Sequence, residues 1–161
     1  MLTEMAYNRE NAVLYAKMWA LGRNPKYLDY DKLGGDCTNF ASQCVFAGTG
    51  IMNYTYNTGW YYNNGNDKSP AWTGVEYFYN FLTRNKGVGP FGEEIGEDEL
   101  ELGDIVQFGN ESNHFYHSPV VTGITNGDIL VCAHSFDAYM RPISTYEYDR
   151  VRYIHILGFR K

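Results

Sequence analysis

Residues 34–48 read GGDCTNFASQCVFAG. Cys37 follows a Gly-Gly-Asp turn and precedes a helix-like run, so the spacing places a thiol in the first turn of a helix. A helix start is electropositive and favours a thiolate. Nucleophilic cysteine chemistry needs two further groups, a base beside the thiol and a polar residue that holds the base. His117 stands at the start of the strand-like HSPVVTGI, where its ring can reach the helix tip. His134 ends the next strand-like run, ILVCAH, and strand neighbours bring such residues together. Each residue alone has an ordinary reading, because free cysteines are among the most buried side chains and buried histidines are often satisfied in cores. The set of three is the stronger signal.

The remaining cysteines and histidines fit structural roles. Cys44 lies seven residues after Cys37. In one helix that is about 10 Å along the axis, beyond disulfide reach. Cys132 lies inside an apolar strand run, and three cysteines leave at least one unpaired. Zinc on Cys37, His117 and His134 is a weaker alternative, because close pairs of the C-x-x-C kind are missing. His114, in NHFYH, need not share a face with His117, and His155 sits in an apolar strand.

Helices are predicted ahead of strands. YNRENAVLYAKMWAL (7–21) places Ala12, Val13, Ala16, Trp19 and Ala20 at helical spacing, with Asn8 as cap and Gly22 as stop. A second helix is predicted from Cys37 to Ala47, capped by Asp36 and ended by Gly48, with Cys37 at its exposed tip. Residues 50–73 form a long irregular insertion containing GWYYNNGND and SPAWTG, and long loops are often functional. A third helix is predicted over 73–85, capped by Thr73, and a turn-rich acidic connection over 87–102. DIVQF, SPVVTGI, DILVCAH and VRYIHILGF read as four strands. This order predicts an α+β fold, one domain over 1–161, with N-terminal helices packed on a C-terminal antiparallel sheet.

Composition bounds the function classes. The chain has 161 residues, 44% hydrophobic and 20% charged, long enough for a sizeable core. The net charge of −6 argues against a nucleic-acid partner, which needs a basic face. No apolar run approaches the roughly 20 residues of a membrane span. MLTEMAYNREN lacks a charged-then-apolar export signal. The chain opens almost directly on structured sequence, as a domain cut from a longer protein would. The 15 tyrosines fit either core filling or a surface for sugars, peptides or wall polymers.

These residues resemble the putative amidase domain family of Gram-positive bacteria, a branch of the papain-like cysteine hydrolases related to the NlpC-type and CHAP cell-wall peptidases. The resemblance spans YNRENAVLYA, GGDCTNFASQC, WYY at 60–62, SPAWT, LGDIVQF, HSPVVT and AHSFD. GGDCTNFASQC is specific; the later pieces are loose but arrive in the family's order. The resemblance implies a papain-like (NlpC/CHAP-like) core with nucleophile Cys37, general base His117 and orienting residue His134, with Asp137 as the alternative third residue. It implies a thiolate–imidazolium pair that attacks an amide carbonyl. The oxyanion would sit on helix-tip amides, including that of Cys37, with Tyr27 or Tyr30 as second donor. Asp36 caps the helix in this reading. Asn39, Tyr30 and one of Trp60 and Tyr61 line the substrate groove, while Trp72 packs the core.

The substrate so implied is a peptide or cell-wall fragment, cut with no cofactor and no metal. The family resemblance suggests a secreted or cell-surface protein; the sequence itself leaves localisation and oligomeric state open. An acidic protein gains no steering towards an anionic wall, so a separate targeting module is expected if the wall is the target. Two other classes compete: an inactive peptide- or glycan-binding module on the same scaffold, and a thiol acyltransferase.

Overall fold

The structure is a computed structural model describing residues 1–161. Asn8 accepts the Asn11 N–H and starts helix α1 (Arg9–Trp19), whose buried stripe is Ala12, Val13 and Ala16. Helix α2 runs over Cys37–Thr49, past the predicted stop. It ends at Gly50, at φ 67°, whose N–H bonds the Phe46 carbonyl. Gly48 serves close approach rather than termination. A Cβ there would lie 2.3 Å from the Tyr7 ring and 2.8 Å from the Asn8 carbonyl. The Asn8 N–H donates to the Gly48 carbonyl at 2.9 Å, pinning the start of α1 to the end of α2. Every residue from Thr38 to Val45 is buried, so α2 runs through the interior.

The insertion contains a short hairpin, β2 (Tyr62–Asn64) and β3 (Asp67–Lys68). The predicted third helix is present as one helix that starts at Val75, and an unpredicted helical turn precedes it. A single turn, α3 (Pro70–Thr73), starts on Pro70, breaks at the extended Gly74, and is followed by α4 (Val75–Arg84). Gly74, not Thr73, occupies the capping position of α4.

The C-terminal half and the first residues build an eight-stranded antiparallel sheet. Its strands are β1 (Glu4–Met5), β4 (Gly89–Ile95), β5 (Ile105–Gly109), β6 (Phe115–His117), β7 (Val120–Thr125), β8 (Asp128–Ala133), β9 (Ala138–Pro142) and β10 (Arg150–Arg160). The main path is β1-β10-β5-β7-β8-β9, with β4 also on β10 and β6 also on β5. The four predicted strands are present as β5, β7, β8 and β10. The acidic connection expected at 87–102 instead contributes β4. It pairs with β10 from Gly89↔Arg160 to Ile95↔Tyr153, through backbone groups that its glutamates do not advertise.

HSPVVTGI, read as one strand, is bent. β6 ends at His117, Ser118 and Pro119 interrupt, and β7 resumes at Val120. Both pieces lie on β5, His117 opposite Phe108 and Val120 opposite Ile105. Pro119 has no N–H to give a ladder, which suits the break.

β5 is buried on both faces. Ile105 joins the larger core under the helices, with Phe40, Cys44, Trp60, Trp72 and Leu82. Val106 and Phe108 join a smaller core on the opposite face, with Leu100, Val121, Val131 and Ile143. The architecture is thus α+β, helices on a curled antiparallel sheet. No helix is long and apolar enough to cross a membrane.

Candidate functional site: a thiol at a helix start under a bent strand

Cys37 is the first residue of α2 and is half-buried. Its Sγ lies 3.7 Å from Thr38 Oγ1 and 3.8 Å from the Tyr116 carbonyl oxygen, so the strand carrying His117 crosses the helix start. A buried relay fixes that crossing. Thr38 Oγ1 and Ser118 Oγ are 3.2 Å apart. Gln107 Nε2 donates to Ser118 Oγ and to the Val75 carbonyl, both at 3.1 Å. Arg152 Nε in turn donates to Gln107 Oε1 at 2.8 Å.

His117 is half-buried, its ring 6.2 Å from that of Phe108 and 5.8 Å from that of Tyr146, centre to centre. Its nitrogens make no hydrogen bond within the protein. Arg141 stands nearby, its guanidinium 3.7 Å over the Tyr146 ring and donating to Thr145 Oγ1 at 2.8 Å and the Thr145 carbonyl at 2.9 Å. The Tyr146 hydroxyl is buried and unpartnered. Burial, assisted by the Arg141 charge, pulls the His117 pKa down to about 4.

The electrostatics differ from the thiolate–imidazolium pair expected from sequence. Burial pushes the Cys37 thiol up from its ordinary value, and the Asp36 carboxylate adds to the rise. The Thr38 hydroxyl and backbone N–H groups of Ser118 and Thr38 pull the other way without reversing it. Both shifts favour the uncharged forms at neutral pH, a thiol and an imidazole. Such an imidazole is competent as a base.

Asp36 does not cap α2 with its side chain. Its Oδ1 accepts the Tyr30 N–H at 2.8 Å and Asn39 Nδ2 at 2.9 Å, and its Oδ2 lies 2.6 Å from His134 Nδ1. Three partners outside the first helical amides outcompete local capping. They leave those amides, Cys37 N–H among them, without a side-chain acceptor.

His134 is buried behind Asp36 rather than beside His117. Its Nε2 lies 2.8 Å from the Trp19 carbonyl and 3.1 Å from Arg23 Nη1, and its ring stacks on Phe40 at 4.0 Å. Both nitrogens are therefore committed away from His117. Asp137, the alternative third residue, forms a two-point pair with Arg23, with both contacts at 3.0 Å. Arg23 also pairs with Asp31.

The predicted groove residues separate in the same way. Asn39 is buried, donating to the Leu28 carbonyl and Asp36 and accepting from Trp72 Nε1 at 2.9 Å. Trp60 is fully buried because its indole N–H finds Ser42 Oγ at 2.9 Å inside the core; Trp72 is fully buried too. Tyr61 is nearly buried but borders a surface cavity. Tyr30 borders another, with its hydroxyl donating to the Gly65 carbonyl at 2.8 Å. Its proton is thus already committed, whereas Tyr27 packs against Tyr62 and Trp72. No set of three His, Cys, Asp or Glu side chains is arranged to hold a metal ion.

Gln107, Ser118, Arg141 and Tyr146 were missed in the sequence. Ser118 had a usable signal, a small hydroxyl next to a candidate base. The other three act through pairings that only the folded sheet creates.

Residues 6–157 match the family described as Putative amidase domain. The chain belongs to that family. Within it, amide hydrolysis is the reaction class the description supports. The uncharacterized protein YhbB of Bacillus subtilis (strain 168) is 31% identical over 139 residues, 84% of this chain and 43% of the relative. The chain thus spans less than half the length of that relative. No solved structure matches it.

Proposed function

We propose that this amidase-family domain is a cysteine-dependent amide hydrolase on a papain-like scaffold related to NlpC-type and CHAP enzymes, acting on peptide or cell-wall amides. The observation that carries this reading is the Cys37 thiol at an uncapped helix start, 3.8 Å from the backbone of the residue preceding His117. His117 takes the thiol proton as Sγ bonds to the amide carbonyl carbon. The carbonyl electrons move to oxygen, facing the free Cys37 N–H. Collapse of the adduct breaks the C–N bond, and His117 returns its proton to the leaving amine. Water, deprotonated by the same ring, then releases the acid and restores the thiol.

His134 serves in this reading as a positioning residue, acting through Asp36 on the helix start. Its substitution should move stability together with turnover, whereas His117 substitution should move turnover alone.

The test is cleavage of cell-wall peptide fragments, followed by mass spectrometry, in the native chain and in Cys37→Ala and His117→Ala. Loss of an acting general base costs roughly 10²–10⁴-fold in rate, and Cys37→Ala should leave no turnover. Cleavage that survives Cys37→Ala overturns the reading. Binding of fragments without any cleavage favours the inactive module, and products joined to an added amine identify acyl transfer.

A further inference from the structure

A polar chain crosses the interior from Arg152 on β10 to the Cys37 thiol, and each of its links has a fixed direction. Arg152 is clamped in place. Its guanidinium lies between the Tyr79 and Phe115 rings, 3.5 and 3.8 Å from their centres, and its Nη2 reaches Glu76 Oε2 at 2.9 Å. Its Nε donates to Gln107 Oε1 at 2.8 Å. A guanidinium only donates, so the oxygen of the Gln107 amide must face it. The Gln107 nitrogen then faces Ser118 Oγ and the Val75 carbonyl, both at 3.1 Å. That carbonyl only accepts, which fixes the same orientation a second time. Turning the amide over would set N–H against N–H at one end and oxygen against oxygen at the other.

This orientation decides where the hydroxyl protons point. Thr38, Gln107 and Ser118 are buried, so their polar groups choose among protein partners. Ser118 Oγ accepts from Gln107, and its other side-chain partner is Thr38 Oγ1 at 3.2 Å. The Ser118 proton therefore goes to Thr38. Thr38 Oγ1, having accepted, directs its own proton at Cys37 Sγ, 3.7 Å away. The thiol proton has a separate acceptor, the Tyr116 carbonyl at 3.8 Å, so the sulfur is free to accept. Of the ionisable groups beside the thiol, His117 is uncharged at neutral pH, and the Asp36 carboxylate is turned to Tyr30, Asn39 and His134. An emerging thiolate is met by hydroxyl and backbone donors rather than by a neighbouring cation.

We propose that Arg152, Gln107, Ser118 and Thr38 form a one-way hydrogen-bond chain that holds a hydroxyl proton on Cys37 Sγ, with Thr38 a catalytic residue that stabilises the thiolate and the other three positioning residues behind it. The catalytic role rests on the amide-hydrolase reading, in which Cys37 is the nucleophile; the chain itself does not. As His117 takes the thiol proton, the Thr38 O–H bond to sulfur becomes charge-assisted, and the links behind it strengthen in turn. No proton moves along the chain and no covalent bond in it breaks.

The test is iodoacetamide labelling of Cys37 across pH, located by mass spectrometry, which reads the sulfur without any substrate. Each variant is labelled below its Tm. Thr38→Val keeps the shape and removes the donor. Its labelling midpoint should rise, and its rate below that midpoint should fall roughly three- to tenfold. Thr38→Ser should restore the native profile. Ser118→Ala, which leaves the Thr38 hydroxyl in place but unaligned, should raise the midpoint by less. Gln107→Met, which touches neither Cys37 nor Thr38, should raise it in the native background and leave it unmoved in Thr38→Val. A packing role for Gln107 would give the same shift in both. A midpoint unmoved by Thr38→Val overturns the proposal. So does one unmoved by both Ser118→Ala and Gln107→Met, or an equal effect of Gln107→Met with and without the Thr38 hydroxyl. The expected shifts in a protein that cleaves no amide keep the chain and sink the hydrolase reading. Amide cleavage that requires Cys37, with no shift in these variants, does the reverse.

Discussion

Two histidines came out of the sequence as one constellation, and the structure gives them opposite surroundings. His134 is buried with both ring nitrogens committed, to Asp36 and to the Trp19 carbonyl. His117 is half-buried, unbonded, and set among Phe108 and Tyr146 near the thiol helix. A saturated histidine cannot take a proton from a substrate or a thiol without first breaking what holds it. An unsaturated one keeps a nitrogen free for chemistry. The contrast is between a histidine tied to the helix start through Asp36 and one whose ring nitrogens make no hydrogen bond within the protein.

The largest effect expected to sharpen this contrast is on turnover. His117→Ala should lower kcat/KM by roughly 10²–10⁴-fold, while thermal unfolding stays within a few degrees of the native chain. A comparable loss from both histidines at constant stability would break the distinction.

His134→Ala should instead unsettle the fold. Removing one partner of a buried pair costs about 3–5 kcal/mol, a fall in Tm of roughly 10 °C for a chain of this size. Calorimetry checks it, and Asp36→Ala should fall similarly. Turnover measured well below the new Tm should drop by less than in His117→Ala.

The pH dependence is the next lever. His117 has a folded pKa of about 4, below its unfolded value of about 6.5. Between those values the unfolded chain holds more protons, so His117's contribution to stability rises with pH across that window. Its neutral form, and with it kcat/KM, should be lost as pH falls through about 4. Iodoacetamide should label Cys37 with a midpoint above that of an ordinary thiol, about 8.5, because burial favours the neutral form. Fast labelling in acid that disappears in His117→Ala would instead reveal an ion pair.

The smallest effect concerns Tyr146→Phe. It removes a buried hydroxyl that has no partner, so Tm should hold or rise by up to a few degrees. A clear destabilisation would show that the hydroxyl is paired in solution.

Much of the site's framework was legible. Short β-branched runs bounded by turn residues marked β5, β7, β8 and β10, and Gly-Gly-Asp marked the start of α2. The side-chain assignments were less legible, for a common reason. Asp36, Asn39 and Trp60 are residue types that suit caps and grooves. Each is drawn inward by a partner distant in sequence: His134 for Asp36, Trp72 for Asn39, Ser42 for Trp60. β4 escaped notice because GPFGEEI carries no alternating apolar pattern, and its order comes from backbone pairing with β10.

β10 pairs with β1, β4 and β5 at once, and its last residues meet the first strand through Glu4↔Arg160. During synthesis, helices α1 and α2 emerge early and can form locally, but their sheet cannot close until residues 150–160 have left the ribosome. Such a high sequence separation slows folding and leaves the β10-facing edges of β4 and β5 unpaired until the last strand arrives. The strands β1 and β4 therefore depend on this segment for their place in the sheet, and a nascent chain stalled just before β10 should be a client for chaperones.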